Sequence, residues 1–257
     1  MQAHECISAA INAATESGRP GLIPFITAGY PKPDTFIETL KAVAAVGDVV
    51  ELGIPFSDPM ADGMTIQRSS YEALRQGVSL NWILEQLDSA SGQIDAPLVM
   101  MSYLNPLLAF GYDELAERAL AAGVCGFIVP DLPFEESAEI RAALEARGLG
   151  LIQLVTPATP DKRLRTLADA SRGFVYAVTI TGITGGATGL PADLTDYLDK
   201  VSSLSSLPVC AGFGIRSPED VAAVGKHAAG AIVGSALVEV LERGDDPKPY
   251  LRSLIGQ

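Results

Sequence analysis

Residues 22–52 read LIPFITAGYPKPDTFIETLKAVAAVGDVVEL, one full unit of a pattern that runs through the chain. Leu22–Thr27 is a nearly continuous apolar run, too short for a helix. A parallel strand covered on both faces has that signature. A Gly/Pro turn follows, and Asp34 is placed to cap a helix over Thr35–Val46 that stops at Gly47. The next apolar run, Asp48–Leu52, then begins. Further runs lie at Pro97–Met101, Gly126–Pro130, Leu149–Val155, Phe174–Val178, Pro208–Ala211 and Gly230–Val233. Helical segments are expected at Asp113–Ala122, Glu135–Arg147, Pro160–Ala170, Asp193–Leu204 and Ser217–His227, with a closing helix at Pro249–Ile255. Ser217-Pro218 is a helix start with Pro at the first helical position. Eight runs alternating with helices imply βαβ units and a parallel sheet. At 257 residues the size is that of a (β/α)8 TIM barrel, read as a single domain over residues 1–257 because no linker or composition break interrupts it. A doubly wound open sheet is the main alternative. Its strongest marker, Gly-x-Gly-x-x-Gly after the first strand, is replaced here by Ala28-Gly29-Tyr30-Pro31.

Composition removes several function classes. The chain has 18 basic and 31 acidic residues, a net charge of −13. That balance, with no Lys/Arg run, argues against nucleic acid or an anionic membrane as partner. No apolar stretch approaches the about 18 residues of a membrane span, and Met1–Ala10 lacks the basic start of a signal peptide. Cys6, Cys125 and Cys210 are odd in number and widely spaced, as expected of reduced, buried thiols in a cytoplasmic protein. Only His4 and His227 are available, which disfavours a His-rich metal site or a Ser-His-Asp triad. None of the six lysines sits at a strand end where it could form a Schiff base. No metal is expected, and the chemistry falls to carboxylates and tyrosine.

Spacing points to where that chemistry sits. Most runs start 22 to 34 residues apart, but Asp48 to Pro97 is 49. The extra length holds Gly53-Ile54-Pro55-Phe56-Ser57-Asp58-Pro59-Met60-Ala61-Asp62-Gly63. In a barrel that loop lies on the C-terminal face, where active sites are built. Glu51 ends the strand before it. By period-two alternation it shares a face with Val49, so an inward face would hold a carboxylate in apolar surroundings. Desolvation there raises its pKa and suits it to proton transfer. Pairing with an arginine, or a solvent-facing position, is the bland alternative. Asp48 opens the same strand at the opposite, structural end. Asp58-Pro59 and Asp62-Gly63 are also turn chemistry, but the position of Asp62 beyond Glu51 suggests a second carboxylate in a different environment.

Late glycines suggest a phosphate site. Gly212-Phe213-Gly214 follows strand seven, and Gly234-Ser235 opens a helix after strand eight. Barrels often hold phosphate with those two loops and a helix N-terminus. Residues 182–189 after strand six suggest a loop that could close over the site. Tyr103 and Tyr176 lie near the ends of strands three and six, where packing and function are equally open. Phe25 and Phe213 could line an apolar pocket or pack the core.

At these residues the chain resembles the tryptophan synthase alpha chain family. The matching blocks are Pro24–Gly29, Glu51–Pro59, Ala61-Asp62-Gly63 with Thr65-Ile66-Gln67, Asp131-Leu132-Pro133, Gly182-Ile183-Thr184-Gly185 and Gly212–Ile215. The resemblance implies a (β/α)8 lyase that cleaves indole-3-glycerol phosphate to indole and glyceraldehyde 3-phosphate. It also implies an alpha2beta2 heterotetramer in which a beta chain carrying pyridoxal phosphate receives the indole, and no cofactor in this chain. It makes Glu51 the acid/base catalyst, Asp62 the partner of the indole N–H, and Tyr176 the active-site tyrosine. Phe25, Met101, Tyr103, Thr184 and Phe213 become substrate-lining positions, and Gly185, Gly214, Gly234 and Ser235 the phosphate site. Residues 185–189 depart from the family pattern in carrying Gly-Gly-Ala-Thr-Gly. The rivals are a stand-alone sugar-phosphate lyase or isomerase, and a non-catalytic barrel that activates a partner. The loop Pro55-Phe56-Ser57-Asp58-Pro59 is expected to expose its phenylalanine toward the beta chain, with Asn105 and Pro106 on the same face.

Overall fold

The computed structural model describes residues 2–178, 191–212 and 214–257. It opens with α1 (Glu5–Glu16), β1 (Gly21–Thr27), α2 (Phe36–Ala44), β2 (Val50–Gly53), α3 (Met64–Arg75) and α4 (Leu80–Ser89). Then come β3 (Leu98–Met101), α5 (Leu104–Phe110), α6 (Tyr112–Ala121), β4 (Val124–Ile128), α7 (Ala138–Glu145), β5 (Gly150–Val155) and α8 (Asp161–Ala170). The chain continues with β6 (Val175–Val178), α9 (Ala192–Leu204), β7 (Val209–Gly212), α10 (Pro218–Val224), β8 (Gly230–Val233), α11 (Ser235–Glu242) and α12 (Pro247–Leu254). The eight strands are parallel and close in sequence order, β8 pairing back onto β1. The expected TIM barrel is therefore the architecture found.

Alternation along each strand separates two apolar layers. Leu22, Ile26, Val50, Leu52, Met100 and Phe127 face outward and pack with Phe36, Leu40, Ile83 and Leu84 of the helices. Ile23, Val49, Val99, Ile152, Cys210 and Ile232 fill the interior. Ile7 and Ile11 of α1 are fully buried in that same interior cluster. A Cβ on Gly173 would lie 3.1 Å from Ile7, and one on Gly21 3.4 Å from Ile11, so α1 plugs the N-terminal mouth at close range. Asp48 braces this end. It takes Arg19 in a fork at 2.6 and 2.8 Å and the Leu22 N–H at 2.8 Å, the structural role expected of it. With the bottom closed, the cavity lies at the C-terminal ends of the strands.

Several expectations shift. The long step after β2 holds two helices, α3 and α4, and α1 and α5 are further additions. Asp34 makes no cap: it lies in a 3-10 turn, Pro33–Thr35, and α2 starts at Phe36 without a side-chain cap. Ser217 does cap α10, in a reciprocal box with Asp220. β4 begins two residues early, at Val124 after the left-handed Gly123, where Leu98 pairs with Val124 and the register then shifts so that Val99 pairs with Gly126. All three cysteines are free, but Cys6 is only partly buried.

Candidate active site

Glu51 sits on β2 in register with Phe25 of β1 and Val99 of β3, on the inward face with Val49. It is 1% exposed. Its Oε2 has no hydrogen-bond partner among the described residues. Burial, and then the negative charge of Asp62, pushes its pKa up to about 8. The carboxyl is therefore protonated at neutral pH and can act as a general acid. Leaving a buried acceptor unpaired costs about 1–3 kcal/mol, so stability does not account for Glu51.

Asp62 reaches the same cavity from the loop after β2. That loop is pinned where it matters. The Ala61 N–H donates to the Tyr103 hydroxyl at 2.7 Å, and Gln67 Nε2 donates to the Asp62 carbonyl at 2.9 Å. Burial pushes the Asp62 pKa up to about 6, against the opposing pull of the Tyr103 hydroxyl. Near pH 7 the two carboxyls thus stand in opposite states, Glu51 protonated and Asp62 ionised. Two titratable groups driven apart by environment are the mark of an acid and base pair.

Both line a cavity of about 490 Å³ at the barrel mouth. Phe25, Met101 and Tyr176 line it too. Tyr176 stays a neutral phenol: burial first, then the charge of Glu51, hold its pKa far above the usual value. Gly212 makes room for it, since a Cβ there would strike the Tyr176 hydroxyl. Gly53 likewise makes room for the Phe25 ring. Gly214, Gly234 and Ser235 gather at one end, where α11 begins with Gly234 as its N-cap. Nothing lies within 3.8 Å of a Cβ built on Gly234, so a side chain there would enter the cavity.

Some expected positions fall elsewhere. Tyr103 is not on the cavity wall among the described residues. It lies behind Asp62, 5% exposed, and steadies the loop. Phe56 is not exposed: it is half-buried and stacks on Tyr103 with ring centroids 5.1 Å apart, while Pro55 is buried. Asp58 and Asn105 are exposed, as are the large apolar side chains of Met60 in the loop, Met64 at the start of α3 and Leu108 in α5. Thr184, Gly185, Phe213 and the whole expected closing loop 182–189 lie outside the described residues. Sequence reasoning missed Ile66, Leu154, Ile215, Ile232 and Arg216 on the wall. Leu154 and Ile232 were legible as inward positions by alternation. Arg216 carried one signal, a charge directly after Gly214-Ile215.

Residues 11–255 match the family model described as tryptophan synthase alpha chain. The chain is 42% identical to the tryptophan synthase alpha chain of Nitratidesulfovibrio vulgaris (strain DP4), over 95% of each chain. It is 46% identical to that of Carboxydothermus hydrogenoformans, over 88% of this chain and 85% of that one. Among solved structures, tryptophan synthase subunit alpha from Legionella pneumophila superposes with a TM-score of 0.87 at 33% identity, covering 99% of this chain and 97% of that one. A ligand-free tryptophan synthase from M. tuberculosis gives 0.85 at 35% identity, covering 97% and 96%. The closed barrel, the carboxyl pair at its mouth and similarity over nearly the whole length agree, and the chain belongs to the tryptophan synthase alpha chain family.

Proposed function

We propose that Glu51, Asp62 and Tyr176 carry out the lyase reaction of the alpha chain, the retro-aldol cleavage of indole-3-glycerol phosphate to indole and glyceraldehyde 3-phosphate. The observation that carries this is the carboxyl pair, one protonated and one ionised near pH 7, on one cavity wall. Cleavage needs an electron sink. Protonated Glu51 delivers its proton to indole C3, which turns the ring into an iminium. Ionised Asp62 accepts the ring N–H and stabilises the positive charge there. The bond from C3 to the glycerol carbon then breaks, its electrons returning to the ring. Glu51, now a carboxylate, takes the proton of the hydroxyl whose carbon becomes the aldehyde. It ends as it began, with no net proton consumed. Tyr176, Phe25 and Met101 shape the apolar wall. Gly214, Gly234, Ser235 and the first N–H groups of α11 take the phosphate. Gly185 as a further phosphate position, and Thr184 and Phe213 as substrate-lining positions, rest on the family resemblance and lie outside the described residues.

The chain works in this reading as one domain beside a beta chain in an alpha2beta2 assembly. In this reading pyridoxal phosphate belongs to that partner, as the family membership implies. The test is indole release from indole-3-glycerol phosphate, with and without a beta chain. Glu51→Gln keeps the shape but has no proton to give, and should lower turnover about 10²–10⁴-fold with substrate binding nearly intact. A variant retaining most of its turnover removes Glu51 from the chemistry.

A further inference from the structure

The phosphate end of the cavity carries one cation. Arg216 is the only basic side chain on the wall among the described residues, and residues 179–190 and 213 contain no Lys, Arg or His. The molecule around it is at −13, and the same cavity holds Glu51 and Asp62. A phosphomonoester brings a charge of about −1.5 to −2 into this field. The N-terminus of α11 offers only about +0.5 against it.

Arg216 is fixed at three points. Its backbone N–H donates to Asp220 Oδ2 at 2.9 Å, and its carbonyl accepts the Tyr250 hydroxyl at 3.2 Å. Its guanidinium forks onto both oxygens of Glu239 at 2.8 and 2.9 Å. Glu239 lies four residues after Ser235 on α11, about 6 Å along the helix from the proposed phosphate position. The fork uses two of five N–H donors and leaves the others for a second oxyanion. The pair adds little as a stability element, because the arginine side chain is 55% and the glutamate 31% exposed.

We propose that Arg216 sets the affinity of this site for a phosphate dianion, and that Glu239 is a positioning residue that holds the guanidinium beside the site while attenuating its charge. This rests on the phosphate site described above. It makes a prediction that a purely structural ion pair does not: removing the two partners shifts phosphate affinity in opposite directions.

The experiment is calorimetric titration with glycerol 3-phosphate, together with kcat and KM for indole-3-glycerol phosphate. Arg216→Ala should weaken glycerol 3-phosphate about ten-fold and raise KM similarly, the scale of one charge-assisted hydrogen bond, with kcat little changed. Arg216→Lys should recover part of the loss. Glu239→Gln should tighten binding, because the guanidinium keeps one anchoring bond, to the amide oxygen, and is freed of the competing charge. Gly234→Asp serves as the control for the site itself. If Arg216→Ala and Glu239→Gln both weaken binding, the pair is a strap and the proposal falls. If Arg216→Ala binds normally while Gly234→Asp abolishes binding, the phosphate site stands and only the role of Arg216 is overturned. If the wild type binds no glycerol 3-phosphate and Gly234→Asp leaves KM unchanged, the phosphate site falls and this proposal with it.

Discussion

At Glu51 a titration becomes a stability statement. Its folded pKa of about 8 lies above the ordinary value of 4.5, so the folded state holds this proton more tightly than the unfolded chain does. Its contribution to stability is fully present below pH 4.5, declines as pH rises and is lost above pH 8. Each unit inside that window costs about 1.4 kcal/mol. Glu51→Gln should therefore leave the melting temperature near wild type at pH 5 and raise it at pH 8 and above. Equal shifts at both pH values would show that the carboxyl is not desolvated. Asp62 adds a second expectation. Cleavage needs Asp62 ionised and Glu51 protonated, so kcat/KM should rise through about pH 6 and fall through about pH 8. A flat profile between pH 5 and 9 would remove this assignment of roles. Glu51 was legible in sequence because alternation puts it on the face of Val49 at a strand end. Phe56 was misread because its cover, Tyr103, lies far along the chain, and local sequence does not show what packs over a ring.

Elements differed in how plainly they announced themselves. β1 to β8 were visible as apolar runs between Gly/Pro turns. No helix was expected at α4, although the sequence carries its signal: Leu80, Ile83, Leu84 and Leu87 form a stripe behind the Ser79 cap. α3 was silent for a physical reason. It buries Ser69, Ser70 and Ala73, small residues that leave no apolar period, and Ser69 meets the buried Thr27 hydroxyl at 2.6 Å. α11 is an apolar helix whose first residues, Ser235 and Ala236, line the cavity. Gly234→Asp should leave it folded, since the new Cβ meets nothing closer than Phe25 at 3.8 Å. The carboxylate would then occupy the anion position, against the backbone N–H groups that a phosphate requires. KM should rise steeply, and glycerol 3-phosphate should protect the wild type from heat but not the variant. A folded variant with unchanged KM and intact protection would show that the phosphate lies elsewhere.

The whole molecule is asymmetric along the barrel axis. α1 seals one mouth with Ile7 and Ile11, and Asp48 braces that end. The other mouth carries the cavity and, on the connections after the adjacent strands β2 and β3, the exposed Met60, Met64 and Leu108. Met60 is 84% and Leu108 57% exposed, apolar surface that contributes nothing to the isolated fold. A partner covering it would press on the same loop that carries Asp62, two residues after Met60 and tied through Ala61 to Tyr103. Beta-chain binding should therefore raise the cleavage rate by fixing Asp62 against Glu51, a gating effect rather than added chemistry. The exposed apolar side chains available to such a contact are Met60 and Leu108, with Asp58 and Asn105 also exposed on the same connections, whereas Phe56 is half-buried. Met60→Asp should raise the beta-chain concentration needed for half-activation about ten-fold, as for one central apolar anchor. Asp58→Ala should do so more weakly, as a polar rim position does. Neither lines the cavity, so the activity of the isolated chain should stay near wild type. Cleavage rate measured against added beta chain for the three proteins decides it. Coincident activation curves would place the coupling surface away from the β2 and β3 connections, and a basal rate that falls in Met60→Asp would mean that the loop already shapes the site without a partner.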